Sequence, residues 1–273
     1  MFVTDQPHEV HKTNNMSQQN NSQNSEEPQP PQRSGWEALK QHVIDHKVEV
    51  AIWATRVFTV LFTFGYFIPL FGYPYNAYYK ALMSNAASSA LRLHQRVPRV
   101  TLSREFLSLL LLEDSCHYLF YSLIFLSVTP VTLVLLPVFM FALLHSASYS
   151  LTLLDTLGQN SWWGARLLIS LVEFQSRNIL RLVAFTEIFL LPFTIVLIFL
   201  GRAGLLTPFI YYHFLTLRYS SRRNPYNRMM FHELRLLLES TASKPGTPSL
   251  LRNILLSAVA FTSRLAPPSP QAQ

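Results

Sequence analysis

Charge is scarce in this sequence. Only 14% of the 273 residues are Asp, Glu, Lys or Arg, against roughly 25% in a soluble domain. The few charges cluster, which leaves uncharged runs approaching ~20 residues, the length that crosses a bilayer core of about 30 Å. An ordinary soluble enzyme is excluded. Cysteine is nearly missing too: Cys116 stands alone, so no intrachain disulfide framework exists. No apolar core follows Met1, so no secretory leader is expected, and the first apolar segment, near 50–71, is expected to serve as the targeting signal. HExxH, GxSxG, P-loop and Gly-rich dinucleotide fingerprints are lacking, and with them the usual grounds for expecting an enzyme, a metal or a cofactor.

What the sequence does have is a polar tail followed by a series of apolar segments. Residues 1–35 are rich in Asn, Gln, Ser and Pro, too poor in apolar side chains to offset the entropy of ordering. A disordered tail and lead-in over 1–48 is expected. The tail carries two sequons, Asn15-Met16-Ser17 and Asn20-Asn21-Ser22, which are acceptors only if the tail is lumenal. A membrane domain is expected over 49–221, with apolar helices near 50–71, 106–128, 131–154, 179–200 and 205–217. The fold class expected is all-α, a multi-pass helical membrane protein with short hairpins and interfacial amphipathic helices.

Between these segments lie weaker ones. Residues 75–96 combine small and polar residues, which suits an interfacial or protein-packed helix with close neighbours. Residues 155–178 mix Trp162 and Trp163 with Arg166, Glu173 and Arg177, a membrane-surface pattern with an aromatic anchor. A basic region over 222–273 contains two amphipathic stretches, 226–240 and 249–265. On a helical wheel, Leu250, Leu251, Ile254, Leu255, Ala258, Val259 and Phe261 fall within one half of 249–265. Such a helix is expected to lie flat in a headgroup layer.

Two basic clusters limit the topology. Lys80, Arg92, Arg96, Arg99 and Arg104 occur without an intervening acid, and from Arg202 onward nine cations face only Glu233 and Glu239. Beside apolar segments these read as cytoplasmic loops rather than a nucleic-acid surface. An even number of crossings must then separate them, while the side of the N-terminal tail stays open.

The polar residues within apolar context are the candidate contacts. On a helix Glu113 and Asp114 each share a face with His117, which suits interhelical hydrogen bonding, a polar break at the membrane surface or, less simply, acid–base chemistry or, with further ligands, a divalent cation. Glu187 is an acid within a span, for which Arg56, Arg181 or His213 is a possible partner; Arg56 is expected to snorkel toward the interface. Arg218, Arg222 and Arg223 are candidate phosphate or acidic-patch contacts. With Leu251, Ile254, Leu255 and Phe261, they form the expected lipid or partner interface.

The runs SALRLHQRVP (89–98), LLEDSCHYLFYSLIF (111–125), EIFLLP (187–192), LLTPFIYYHFLTLRYSSRRNPY (205–226) and SRLAP (263–267) resemble the transmembrane protein thirty-three family, which groups Krüppel homologue two and Pom-type proteins of the endoplasmic reticulum and nuclear envelope. The resemblance covers about residues 48–267. It implies a non-enzymatic membrane protein linked to tubular reticulum shape, reticulon-type partners and nuclear pore components, with spans near 55–75, 124–144 and 179–199. It supplies no catalytic residues. The alternative function is a regulatory subunit docked on another reticulum membrane protein through Arg56 and Glu187.

Overall fold

Helices begin and end where local chemistry requires. The computed structural model describes residues 35–265 apart from 69–71, 98–102, 160, 222 and 223. Among the described residues, eleven α-helices and no strand are found: α1 Trp36–Asp45, α2 Lys47–Phe67, α3 Pro74–Arg96, α4 Arg104–Leu112, α5 Asp114–Leu126, α6 Thr132–Leu157, α7 Trp163–Glu173, α8 Ser176–Phe199, α9 Thr207–Ser220, α10 Tyr226–Ala242 and α11 Ser249–Leu265. Pro74 opens α3 from its first turn, where a missing N–H costs nothing. Ser103 caps α4 by accepting from the Phe106 N–H at 3.1 Å. Gly158 closes α6 in the left-handed conformation, φ 72°, which a side chain would strain.

Three helices are long and apolar enough to cross a membrane: α2, α6 and α8. The α4–α5 pair passes the same test only as a unit bent by 82°. The chain is an all-α, multi-pass helical membrane protein. Several expected boundaries need correction. The lead-in is not wholly irregular, because Trp36–Asp45 is helical; residues 1–34 lie outside the described residues. The expected helix 106–128 is broken at Glu113, whose backbone is extended (φ −84°, ψ 123°). Glu113 leaves the helix and closes an ion pair with Arg96 at 3.3 Å. The stretch 155–178 divides among the end of α6, α7 and the start of α8, so only Trp163–Glu173 is a separate helix. The middle span expected from the family resemblance, 124–144, is replaced by the longer α6.

The bundle is built from three helical hairpins, α2–α3, α5–α6 and α8–α9. Their tips gather at one end: Tyr66 meets Thr132 at 2.9 Å, and the Thr129 hydroxyl donates to the Arg202 carbonyl at 3.1 Å. The opposite, open ends also gather. Gln95 reaches Glu49, the Trp53 indole donates to Ser150 at 2.9 Å, and the Gly35 N–H donates to the Thr156 carbonyl at 3.1 Å. Helices α1, α4 and α7 attach at this open end.

Composition explains the unequal arms. The 23 residues of α3 rise about 34 Å at ~1.5 Å each, enough to run beside α2 for its full length. It is too polar to face lipid alone, and its Tyr78, Ala81, Leu82, Asn85, Ser88 and Ser89 are buried. The small residues allow close approach: Ser84 donates to the Thr55 carbonyl at 2.6 Å, and Asn85 donates to Ser122 at 2.8 Å. Helices α5 and α9, with 13 and 14 residues, reach only about 20 Å.

Among the described residues two helices carry a proline in their interior, Pro137 in α6 and Pro192 in α8, and each lacks one ladder donor. The carbonyls they leave without a ladder donor are those of Leu133 and Ile188. A tyrosine from a neighbouring helix bonds the adjacent carbonyl in both cases: Tyr121 donates to the Val134 carbonyl and Tyr211 to the Glu187 carbonyl, each at 2.8 Å. The core between the hairpins is aromatic: Tyr121, Phe125, Tyr211 and Phe214 pack with ring centroids 4.9–6.2 Å apart, within the range of favourable aromatic pairs.

Candidate functional site

A charged network lies at the open ends of the two shorter-armed hairpins. Glu187 sits midway along α8 and Arg218 near the end of α9, with side chains 0% and 1% exposed. Arg218 Nε donates to Glu187 Oε2 at 3.1 Å. Its Nη1 donates to Asp114 Oδ1 at 3.2 Å, and Ser221 donates to the same oxygen at 2.7 Å. Asn227, from α10, donates to Glu187 Oε2 at 2.8 Å, and the Tyr118 hydroxyl donates to Glu187 Oε1. The guanidinium lies 5.1 Å from the centroid of the Tyr118 ring and 5.9 Å from that of Phe141, within cation–π range. Burial opposes its charge, and the Glu187 and Asp114 carboxylates favour it.

This geometry ties α5, α8, α9 and α10 together through one cation and two carboxylates. It corrects the expected pairing of Glu187, whose partner is Arg218 and not Arg56, Arg181 or His213. Arg181 instead binds Glu233 at 2.8 Å on the surface. Arg218, expected at a lipid or partner interface, is inside the protein; Arg222 and Arg223 lie outside the described residues. Within the run Glu113–His117, only Asp114 and His117 approach one another, at 3.7 Å, while His117 Nε2 donates to the Leu111 carbonyl at 2.7 Å. That bond satisfies a carbonyl freed where α4 ends. Among the described residues, no group of three His, Cys, Asp or Glu side chains is placed to hold a metal ion.

Beside the network is a cavity of about 310 Å³, whose wall includes Arg56, Arg92, Arg96 and Arg218. Arg56 therefore faces a polar space between helices, a placement distinct from the expected snorkelling. At the other end of the chain, Leu251, Ile254 and Phe261 of α11 are 44%, 57% and 41% exposed. Phe261 reaches Tyr212 of α9, with ring centroids 5.8 Å apart. Much of the apolar half of this helix has no protein cover.

The signal that sequence reasoning missed is the spacing of Arg218, Ser221, Asn224 and Asn227. One polar residue every third position, from the end of an apolar helix into the next, marks a continuous polar edge. Asn224 caps the turn between them by accepting from the Tyr226 N–H at 3.1 Å. The exposed Arg181–Glu233 pair is a contrast: Arg181→Gln is expected to shift the thermal unfolding of detergent-solubilised protein by less than about 1 kcal/mol, as solvent-screened pairs do.

The family and relatives that this chain matches carry names that speak of a transmembrane protein. No solved structure matches. Krueppel homolog 2 of Drosophila melanogaster is 52% identical over 229 residues, covering 84% of this chain and 82% of the relative. Transmembrane protein 33 of Homo sapiens is 48% identical, covering 89% of this chain and 98% of the relative. The Caenorhabditis elegans homolog is 38% identical, covering 85% of this chain and 87% of the relative. The family model described as Transmembrane protein 33/Nucleoporin POM33 matches residues 30–268, and with it these relatives show that the chain belongs to the Transmembrane protein 33/Nucleoporin POM33 family.

Proposed function

We propose that this is a non-enzymatic membrane-organising protein of the endoplasmic reticulum and nuclear envelope. It supports tubule shape and nuclear pore distribution through its inserted helices, together with reticulon-type partners and nuclear pore components. The observation that carries the reading is the asymmetry of the bundle. Three hairpins have their tips at one end, two of them with arms of only about 20 Å, and α1, α4 and α7 attach at the opposite end. With the open end cytoplasmic, as its arginines favour, the protein takes up more area in the cytoplasmic leaflet and favours curved membrane. The uncovered apolar half of α11, from the basic region after residue 221, adds to that leaflet.

Of the two contacts expected for docking on another membrane protein, Arg56 and Glu187, the carboxylate is already bonded within the chain itself, which favours the membrane-organising reading. The membrane-shaping reading is tested by the full chain in giant vesicles from which narrow tubes are pulled. Wild-type protein is expected to be enriched several-fold on the tube over the flat vesicle. The Leu251→Glu/Ile254→Glu variant is expected to lose much of that enrichment, because charge replaces apolar insertion worth about 1.5–3 kcal/mol per fully buried side chain. Equal density of the wild type on tube and vesicle contradicts the reading.

A further inference from the structure

The cavity beside the network holds more positive charge than the protein neutralises. Arg218 is paired with Glu187 and Asp114, and Arg96 with Glu113. Among the described residues, neither Arg56 nor Arg92 lies within ion-pair distance of a carboxylate. Both nevertheless line the same small space, at helix–helix contacts where water screens poorly. Arg92 is disfavoured by burial and by repulsion from Arg96, offset in part by attraction to Glu113. Arg218 is another lining residue, and its Nη2 is buried with no hydrogen-bond partner. Buried guanidinium groups without acceptors are costly unless something supplies them.

The shape of the space narrows the chemistry. Its volume of about 310 Å³ is at the lower limit of small-molecule sites. Ser88 and Ser89 of α3 face it from one side, and Phe141, Leu144 and Leu180 of α6 and α8 from the other. A polar wall, which also carries Glu113 and Asp114, thus meets an apolar one. Against Glu113, Asp114 and Glu187 the four arginines leave a surplus of positive charge, which favours an anion, and guanidinium forks match phosphate oxygens in geometry.

We propose that this cavity binds a phosphate group through Arg56 and Arg92. The group is carried by an anionic lipid of the phosphatidic-acid type or by a soluble phosphate. The apolar wall is placed to receive the start of an acyl chain. This inference is independent of membrane shaping and stands or falls separately from it.

The test uses the full chain purified in neutral detergent. Thermal unfolding and native mass spectrometry are followed with three probes: inorganic phosphate, short-chain phosphatidic acid, and phosphatidylcholine of the same chain length. Chloride at matched ionic strength is the reference. Saturable stabilisation by phosphatidic acid but not by inorganic phosphate assigns a lipid headgroup; stabilisation by both assigns the phosphate group itself. Either response should weaken at least about tenfold in Arg56→Gln and in Arg92→Gln, the scale of one lost charge-assisted bond pair, and persist in the exposed control Arg177→Gln. Without ligand the two cavity variants should be no less stable than wild type, because each removes an uncompensated charge. Failure of wild-type protein to bind either phosphate probe, binding equal to that of phosphatidylcholine, or binding unchanged in both cavity variants overturns the assignment.

Discussion

Arg218→Gln is expected to lower the stability of the folded chain by about 3–5 kcal/mol, the cost of breaking a buried ion pair by removing one partner. The change leaves Glu187, fully buried, without its cation, and Asp114 with Ser221 alone from the network. Glu187→Gln is expected to cost less, about 1–3 kcal/mol. In that variant Arg218 keeps Asp114, whose side chain is 32% exposed, and a glutamine amide still meets Tyr118 and Asn227. Thermal unfolding in detergent ranks the two. The double variant should cost less than the sum of the singles by ~0.5–3 kcal/mol, as neighbours in one network do. Strict additivity, or Glu187→Gln costing more than Arg218→Gln, would show that Arg218 is not the hub.

Tyr211→Ala is expected to cost a similar amount, about 3–5 kcal/mol, through the cavity it opens. Tyr211 is fully buried among Tyr121, Phe125 and Phe214. No flexible side chain stands ready to fill the space, since its neighbours are rings held by one another. Its hydroxyl has a second role, the bond to the Glu187 carbonyl one turn before Pro192. Tyr211→Phe separates the two: it keeps the volume and removes the bond, and should cost only about 1 kcal/mol. If the Phe variant is as unstable as the Ala variant, the hydroxyl's bond to α8 outweighs packing. If both are mild, the aromatic core is more plastic than its geometry implies.

The apolar runs made much of this fold legible. Helices α2, α6 and α8 stand out because lipid demands uncharged length, and α11 because half of its circumference is apolar. The α3 helix was legible as a helix packed on protein, from its run of Ala and Ser between charges. Its full-length course beside α2 was not, because polar residues sheltered by neighbours leave no hydropathy signal. The break at Glu113 was legible only as one of two alternatives, a polar break or interhelical hydrogen bonding, because a run of leucines ends at Leu112 and apolar residues resume at Tyr118; the pairing of Glu113 with Arg96 is tertiary. Glu187 was recognisable as an intramembrane acid, but its partner lies 31 residues onward in another helix. Arg218 itself read as one of three interface arginines with Arg222 and Arg223, because a single sequence does not tell which cation of a basic run is buried. The open cavity required Arg56 and Arg92 to meet across two helices, which no local spacing encodes.

The most direct test of the hairpin architecture is the side of the membrane on which the N-terminal tail lies. Gly35 is bonded to Thr156 at the open end, where Arg92 and Arg96 also lie, so the chain enters the bundle from the side that the positive-inside rule makes cytoplasmic. Expression with microsomes reads this through the tail's own sequons at Asn15 and Asn20, with an engineered lumenal sequon elsewhere as control. Three hairpins inserted from one side predict no sugar on Asn15 or Asn20 while the control is modified. An endoglycosidase-sensitive sugar on either residue would place the tail in the lumen and contradict the common cytoplasmic side on which the membrane-organising mechanism rests.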